Sequence, residues 1–169
     1  MFIGQPKEVD RELKFLSKHK WKKILEAAVK VEEQSIALYK MALENSKYPS
    51  SKVFLKQLVD QEKGHKKKLE AILDDESKIM ELGSHENTEQ NLKIVDMMKD
   101  TPLTSESDYK AILVYAAKRE KSTYDYYHNL AMGLKGTQMG EIFNALAREE
   151  LGHKTKLEKE YDDCVLQEN

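Results

Sequence analysis

Two short stretches of this chain hold residues that can do chemistry together. In QEKGHKKKLE, residues 61–70, Glu62 and His65 stand three apart; in EELGHKTKLE, residues 149–158, Glu150 and His153 do the same. Two more glutamates, Glu32 and Glu120, each precede a tyrosine by seven residues, Tyr39 and Tyr127. Every one of these residues recurs 88 positions further on, as do Gly64/Gly152, Leu25/Leu113, Ala28/Ala116, Leu58/Leu146 and Leu69/Leu157. Apolar matches at helical spacing arise easily by convergence, whereas paired Glu, His and Gly do not. The chain therefore reads as two copies of one unit.

The spacing says where these groups point. Four stripes alternate steps of three and four: Leu25-Ala28-Glu32-Ser35-Tyr39, Leu55-Leu58-Glu62-His65-Leu69, Leu113-Ala116-Glu120-Thr123-Tyr127 and Phe143-Leu146-Glu150-His153-Leu157. That is the core-facing seam of a packed helix. One glutamate on a seam can sit at a rim or pair with a lysine, and one histidine is more often a satisfied core residue than a ligand. Here four carboxylates and two imidazoles fall at one level of four seams. Such charges persist in a core when they coordinate a metal. Glu and His three apart share a helix face and can reach one cluster. A Glu from each of two helices plus Glu-x-x-His from each of two others is the ligand set of carboxylate-bridged di-iron and di-manganese bundles. Two divalent cations cancel the four carboxylate charges, and oxygen-rich ligands with one imidazole per metal suit iron or manganese, with zinc as a possible substitute.

Positioning these residues needs an all-α architecture. We expect four long helices: A over about 20–45, B from about 51 to 78 capped by Ser50 or Ser51, C from a cap at Ser105 or Ser107 to near Gly133, and D over about 138–163. Short A–B and C–D links make each pair an antiparallel hairpin, residues 20–78 and 107–163. The B–C link, about 79–106, is long enough to run from one end of a bundle to the other. A short helix capped by Asn87 or Thr88 is expected within it. The bundle occupies 20–165, and residues 1–19 form an N-terminal extension with a short packed segment. Gly64 and Gly152 fall about 130° round from the seam centre at 100° per residue, so they face outward. They are either tolerated surface glycines or points of close approach by something outside the bundle.

Composition bounds the remaining classes. The 169 residues fit one domain, and a net charge of −2 leaves no electrostatic footprint for nucleic acid. The run Lys66–Lys68 reads as a solvated helix face. A single cysteine, Cys164, rules out an internal disulfide and a cysteine-based metal site within this chain. The N-terminus has no apolar signal region, and the longest apolar run, 111–117, is too short to span a bilayer. A cytoplasmic location with no membrane partner is expected.

The chain resembles the rubrerythrin family of the ferritin-like superfamily through EEQSIALY, DQEKGH, EKSTYDYY and REELGH, spread over residues 20–163. The resemblance implies a ferritin-like four-helix bundle with two iron ions that react with hydrogen peroxide or dioxygen. It implies Glu32, Glu62 and His65 as one half of the ligand set and Glu120, Glu150 and His153 as the other, with Glu62 and Glu150 bridging. It gives Tyr39 and Tyr127 a role in hydrogen bonding to the ligands, although as aromatic core filler they would look the same in sequence. Two departures stand out. Members that carry a rubredoxin domain have two CxxC pairs, so with one cysteine here the electrons must come from an external donor such as a rubredoxin. The family's extra carboxylate one turn after the helix C ligand is replaced by Thr123, matched by Ser35 in the other half. Only VLQEN follows helix D, so a ferritin storage shell is not expected; a homodimer is. Peroxide reduction is the leading expectation. A ferroxidase or iron-handling role comes second, and a metal-stabilised bundle that binds a partner third.

Overall fold

The computed structural model describes residues 6–75, 93–96, 98–104 and 106–167, with side chains between 20 and 166. Among these residues the regular structure is four α-helices: α1 (Pro6–Asn45), α2 (Pro49–Asp74), α3 (Tyr109–Gly133) and α4 (Gln138–Gln167). No strand occurs among them. The main packing lies within the hairpins α1/α2 and α3/α4, and α1 against α3 with α2 against α4 closes the bundle. Among the described residues no helix is long and apolar enough to cross a membrane.

All four helices have boundaries that differ from the sequence reading. Helix α1 starts at Pro6 and runs through residue 19 without a break, so residues 6–19 of the extension are the first part of the same helix. Proline tolerates a first helical turn, where its missing N–H has no partner to lose. Helix α2 is not capped by Ser50 or Ser51: it follows Tyr48 in extended conformation, with Pro49 as its first residue, and it ends at Asp74. The cap of α3 is Asp108, whose carboxylate accepts from the Ala111 N–H at 2.8 Å. Helix α4 continues to Gln167, four residues further than expected.

The α3–α4 link is tight. Leu134 closes α3 by donating to the carbonyls of Leu130 and Ala131, and Gly136 takes φ +84°, where a side chain would be strained. The Thr137 hydroxyl accepts from the Gly140 N–H at 3.1 Å and starts α4. Gly140 itself packs against backbone: a Cβ there would lie 2.3 Å from the Leu134 carbonyl oxygen.

The crossover helix capped at Asn87 or Thr88 falls largely outside the described residues. Of the segment, 94–96 form a turn that begins after Lys93 at φ 59°. Val95 is fully buried, so this turn is part of the core. Beneath it Lys154 and Glu158 of α4 are both completely buried. The Lys154 ammonium donates to Glu158 Oε1 at 2.7 Å and lies 2.9 Å from Asp96 Oδ1; the Val95 N–H donates to Glu158 Oε1 at 3.1 Å. A buried ion pair thus latches the crossover onto α4.

The apolar core falls into two clusters. One gathers Leu38, Leu55, Leu58, Ile112, Leu113 and Leu157; the other gathers Leu25, Leu69, Ile72, Phe143, Leu146 and Ala147. Glu32, Glu62, His65, Glu120, Glu150 and His153, each at most 2 % exposed, form the polar layer of the same four seams. Apolar packing on both sides keeps water from that layer.

Candidate metal centre

All six predicted ligands come together. Glu32, Glu62, His65 and Glu150 each offer one ligand atom within 4.8 Å of the others; Glu62, Glu120, Glu150 and His153 do the same. Glu62 and Glu150 belong to both sets. The geometry thus brings together two four-residue groups sharing two carboxylates, as the repeat requires.

Each histidine turns Nδ1 inward. His65 Nδ1 lies 3.2 Å from Glu150, 3.3 Å from Glu62 and 3.6 Å from Glu32. His153 Nδ1 lies 2.7 Å from Glu62, 3.2 Å from Glu150 and 4.0 Å from Glu120. The two rings stack, with centroids 5.5 Å apart. Tyr39 and Tyr127 are also in the layer, and their bonding crosses between hairpins. Tyr39 on α1 donates to Glu120 on α3, and Tyr127 on α3 donates to Glu32 on α1. Both tyrosines are fully buried. Their hydroxyls therefore orient the two unshared carboxylates, beyond filling core.

The electrostatics divide the carboxylates into two kinds. Burial, helped by the charge of Glu150, pushes Glu32 up to about 8. Burial also drives Glu120 well above the ordinary range, with Glu150 and Glu62 adding to it. Burial opposes ionisation of Glu62 and Glu150 too, but contacts with the histidines outweigh it, and both are lowered. The histidines respond in turn. His65 is raised well above its usual value by hydrogen bonds led by Glu149, and His153 is raised to about 9 by the charge of Glu62 and its bond to Glu150, both against burial. Burial pushes both tyrosines up, so each stays a neutral donor. In the metal-free site protons are thus favoured on Glu32, Glu120, His65 and His153, and negative charge on Glu62 and Glu150. Two divalent cations replacing those four protons leave the layer electrically unchanged.

The donor set fits metal ions. Six atoms of the proposed ligands are buried without a well-aligned hydrogen bond: one oxygen each of Glu32, Glu120 and Glu150, both oxygens of Glu62, and His65 Nδ1. So many buried polar atoms without an aligned partner in one layer are costly unless a cation fills it. Carboxylate and imidazole donors without thiolate favour iron or manganese.

One participant escaped the sequence reading. Glu149 accepts from His65 Nε2 at 2.6 Å, and Lys68 lies 3.7 Å from its other oxygen. A carboxylate on the outer nitrogen fixes the ring and leaves Nδ1 facing the clustered carboxylates. The only sequence signal was the doublet Glu149-Glu150, which has Gln61-Glu62 at the same place in the first copy. Thr123 is buried and donates to the Arg119 carbonyl at 3.1 Å, while Ser35 is buried without a partner. The repeat glycines also part company. Gly64 is half-buried, with open space where a Cβ would go; Gly152 is buried, so facing away from the seam does not leave it at a free surface.

Four antiparallel helices around a buried layer of four glutamates and two histidines define the ferritin-like class of carboxylate bundle. The rubrerythrin family profile matches residues 23–107 and 111–169, and the chain belongs to that family. Comparison with curated proteins and with solved structures returns no match.

Proposed function

We propose that this protein is a non-haem di-iron oxidoreductase that reduces hydrogen peroxide with electrons from an external donor. The observation that carries the reading is the pair of ligand sets sharing Glu62 and Glu150 in a core layer closed to water. Glu32 and His65 would hold one iron, Glu120 and His153 the other, and Glu62 and Glu150 both. Two ferrous ions held by these residues would supply the two electrons that peroxide reduction requires. Reduction to two waters also takes two protons. The chain's own contribution is to hold the ligands in place. Tyr39 and Tyr127 keep their protons and fix Glu120 and Glu32 by donating to them, while Glu149 fixes His65. The only cysteine, Cys164, is buried away from the layer within an apolar cluster, so reducing equivalents come from another protein or domain, of which a rubredoxin is the expected type.

A specific observation favours ferroxidase chemistry as the second reading. Thr123 replaces the family's extra carboxylate, and its hydroxyl is committed to its own helix, so the two ligand sets match each other. Anaerobic reduction followed by stopped-flow mixing separates the two. Oxidation by peroxide much faster than by dioxygen supports the peroxidase. Faster oxidation by dioxygen, with turnover of added ferrous iron, supports the ferroxidase. Glu62→Ala and Glu150→Ala each abolish either activity if the shared carboxylates are what joins the metals.

A further inference from the structure

The two halves match in all six ligands and both tyrosines, yet they differ at one buried hydroxyl. On α1, Glu32, Ser35 and Tyr39 are spaced three and four apart and are 0 %, 1 % and 0 % exposed. The groups on either side of Ser35 both end in the polar layer: Glu32 as one of the clustered carboxylates, Tyr39 as donor to Glu120. Ser35 lies between them on the same face, and its Oγ has no hydrogen-bond partner among the described residues. On α3 the equivalent residue, Thr123, donates to the Arg119 carbonyl of its own helix. A buried hydroxyl without a partner is rare enough to need a reason. Helices α1 and α3 each give the site one carboxylate and no nitrogen, so on their side the protein offers the fewest ligand atoms. Ser35 is thus a buried donor left free on the helix face that carries Glu32 and Tyr39.

We infer that Ser35 is a positioning residue that hydrogen-bonds a small anion, of the azide or hydroperoxide class, at the metal held by Glu32 and His65. The two metal positions then differ in one serine hydroxyl as well as in Glu149, whose counterpart in the repeat is Gln61. This rests on the di-iron reading. The test is azide titration of the oxidised, iron-loaded protein, followed by the azide-to-iron absorption band, with iron per chain measured alongside. Removing a hydrogen bond to a charged group makes Ser35→Ala bind azide about tenfold more weakly. Thr123→Val stays within about twofold of the unmodified protein, and both variants keep two irons. Unchanged azide affinity in Ser35→Ala overturns the inference. An equal loss in Thr123→Val does so too, as does loss of iron from Ser35→Ala, which would make the serine a support for the metals instead. Unmodified protein that fails to take up two irons sinks the di-iron reading itself and the inference with it.

Discussion

Replacing Lys154 with methionine tests the latch between the crossover and α4. Methionine keeps the length of the side chain and removes its charge. Lys154 and Glu158 are both 0 % exposed, so Glu158 would be left as a buried carboxylate with the Val95 N–H on Oε1 and nothing on Oε2. Breaking a buried pair by removing one partner costs about 3–5 kcal/mol. For a chain of this size 1 kcal/mol moves Tm by roughly 2–4 °C, so the expected fall is roughly 6–20 °C. Glu158→Gln keeps an acceptor for Val95 and removes the charge. The double variant Lys154→Met/Glu158→Gln should therefore recover most of the loss, with a coupling of about 2 kcal/mol or more. Chemical denaturation of the four metal-free proteins gives the cycle. The repeat supplies a control in Lys66, the residue 88 positions earlier, which pairs with Glu33 at 2.8 Å and Glu70 at 3.5 Å near the surface. Lys66→Met should be barely detectable. A Lys154→Met cost as small as that of Lys66→Met, or strictly additive effects in the cycle, would refute the latch.

The metal-free protein should lose stability as pH rises. Glu32, raised from 4.5 to about 8, contributes stability that is fully present below 4.5 and is lost as the pH rises through about 8. His153, raised from 6.5 to about 9, contributes stability present below 6.5 and lost through about 9. Metal binding displaces the same protons, so the iron-loaded protein should gain stability over that window; denaturation of both forms from pH 5 to 9 checks the opposite slopes. Gly64→Ala should stabilise by about 0.5–1 kcal/mol, because the added methyl meets open space on a helix. Gly140→Ala should destabilise by about 1–3 kcal/mol, because its Cβ meets the Leu134 backbone; urea titrations of the two variants should give opposite signs.

The six clustered residues were legible because charged groups at buried positions are conspicuous. Glu62 or His65 alone on a seam has several innocent readings, whereas six such groups at one level have few, and the 88-residue repeat fixed which belong together. The family match over residues 23–107 and 111–169 agrees with the family and the fold class read from the sequence. What escaped depends on neighbours that sequence does not reveal. Glu149 sits in a Glu doublet that looks like any solvated helix face, and only the fold brings His65 against it. Lys154 looked no different from Lys66, yet the crossover covers one and leaves the other near solvent. Tyr39 was legible as a group near the ligands, but its donation to Glu120 on the opposite hairpin is a product of packing. The start of α2 was misplaced because Ser50 and Ser51 are good caps in isolation, while Pro49, one residue earlier, already sets the helical φ.

The central claim is that Glu62 and Glu150 hold two metals as one unit. Mössbauer spectroscopy of the protein, loaded anaerobically with ferrous iron-57 and then oxidised, tests it most directly, with iron per chain measured on the same sample. Two irons per chain, giving a magnetically coupled ferric pair with a diamagnetic ground state, are predicted. One iron per chain, or two ferric ions that behave as isolated high-spin centres, would contradict it.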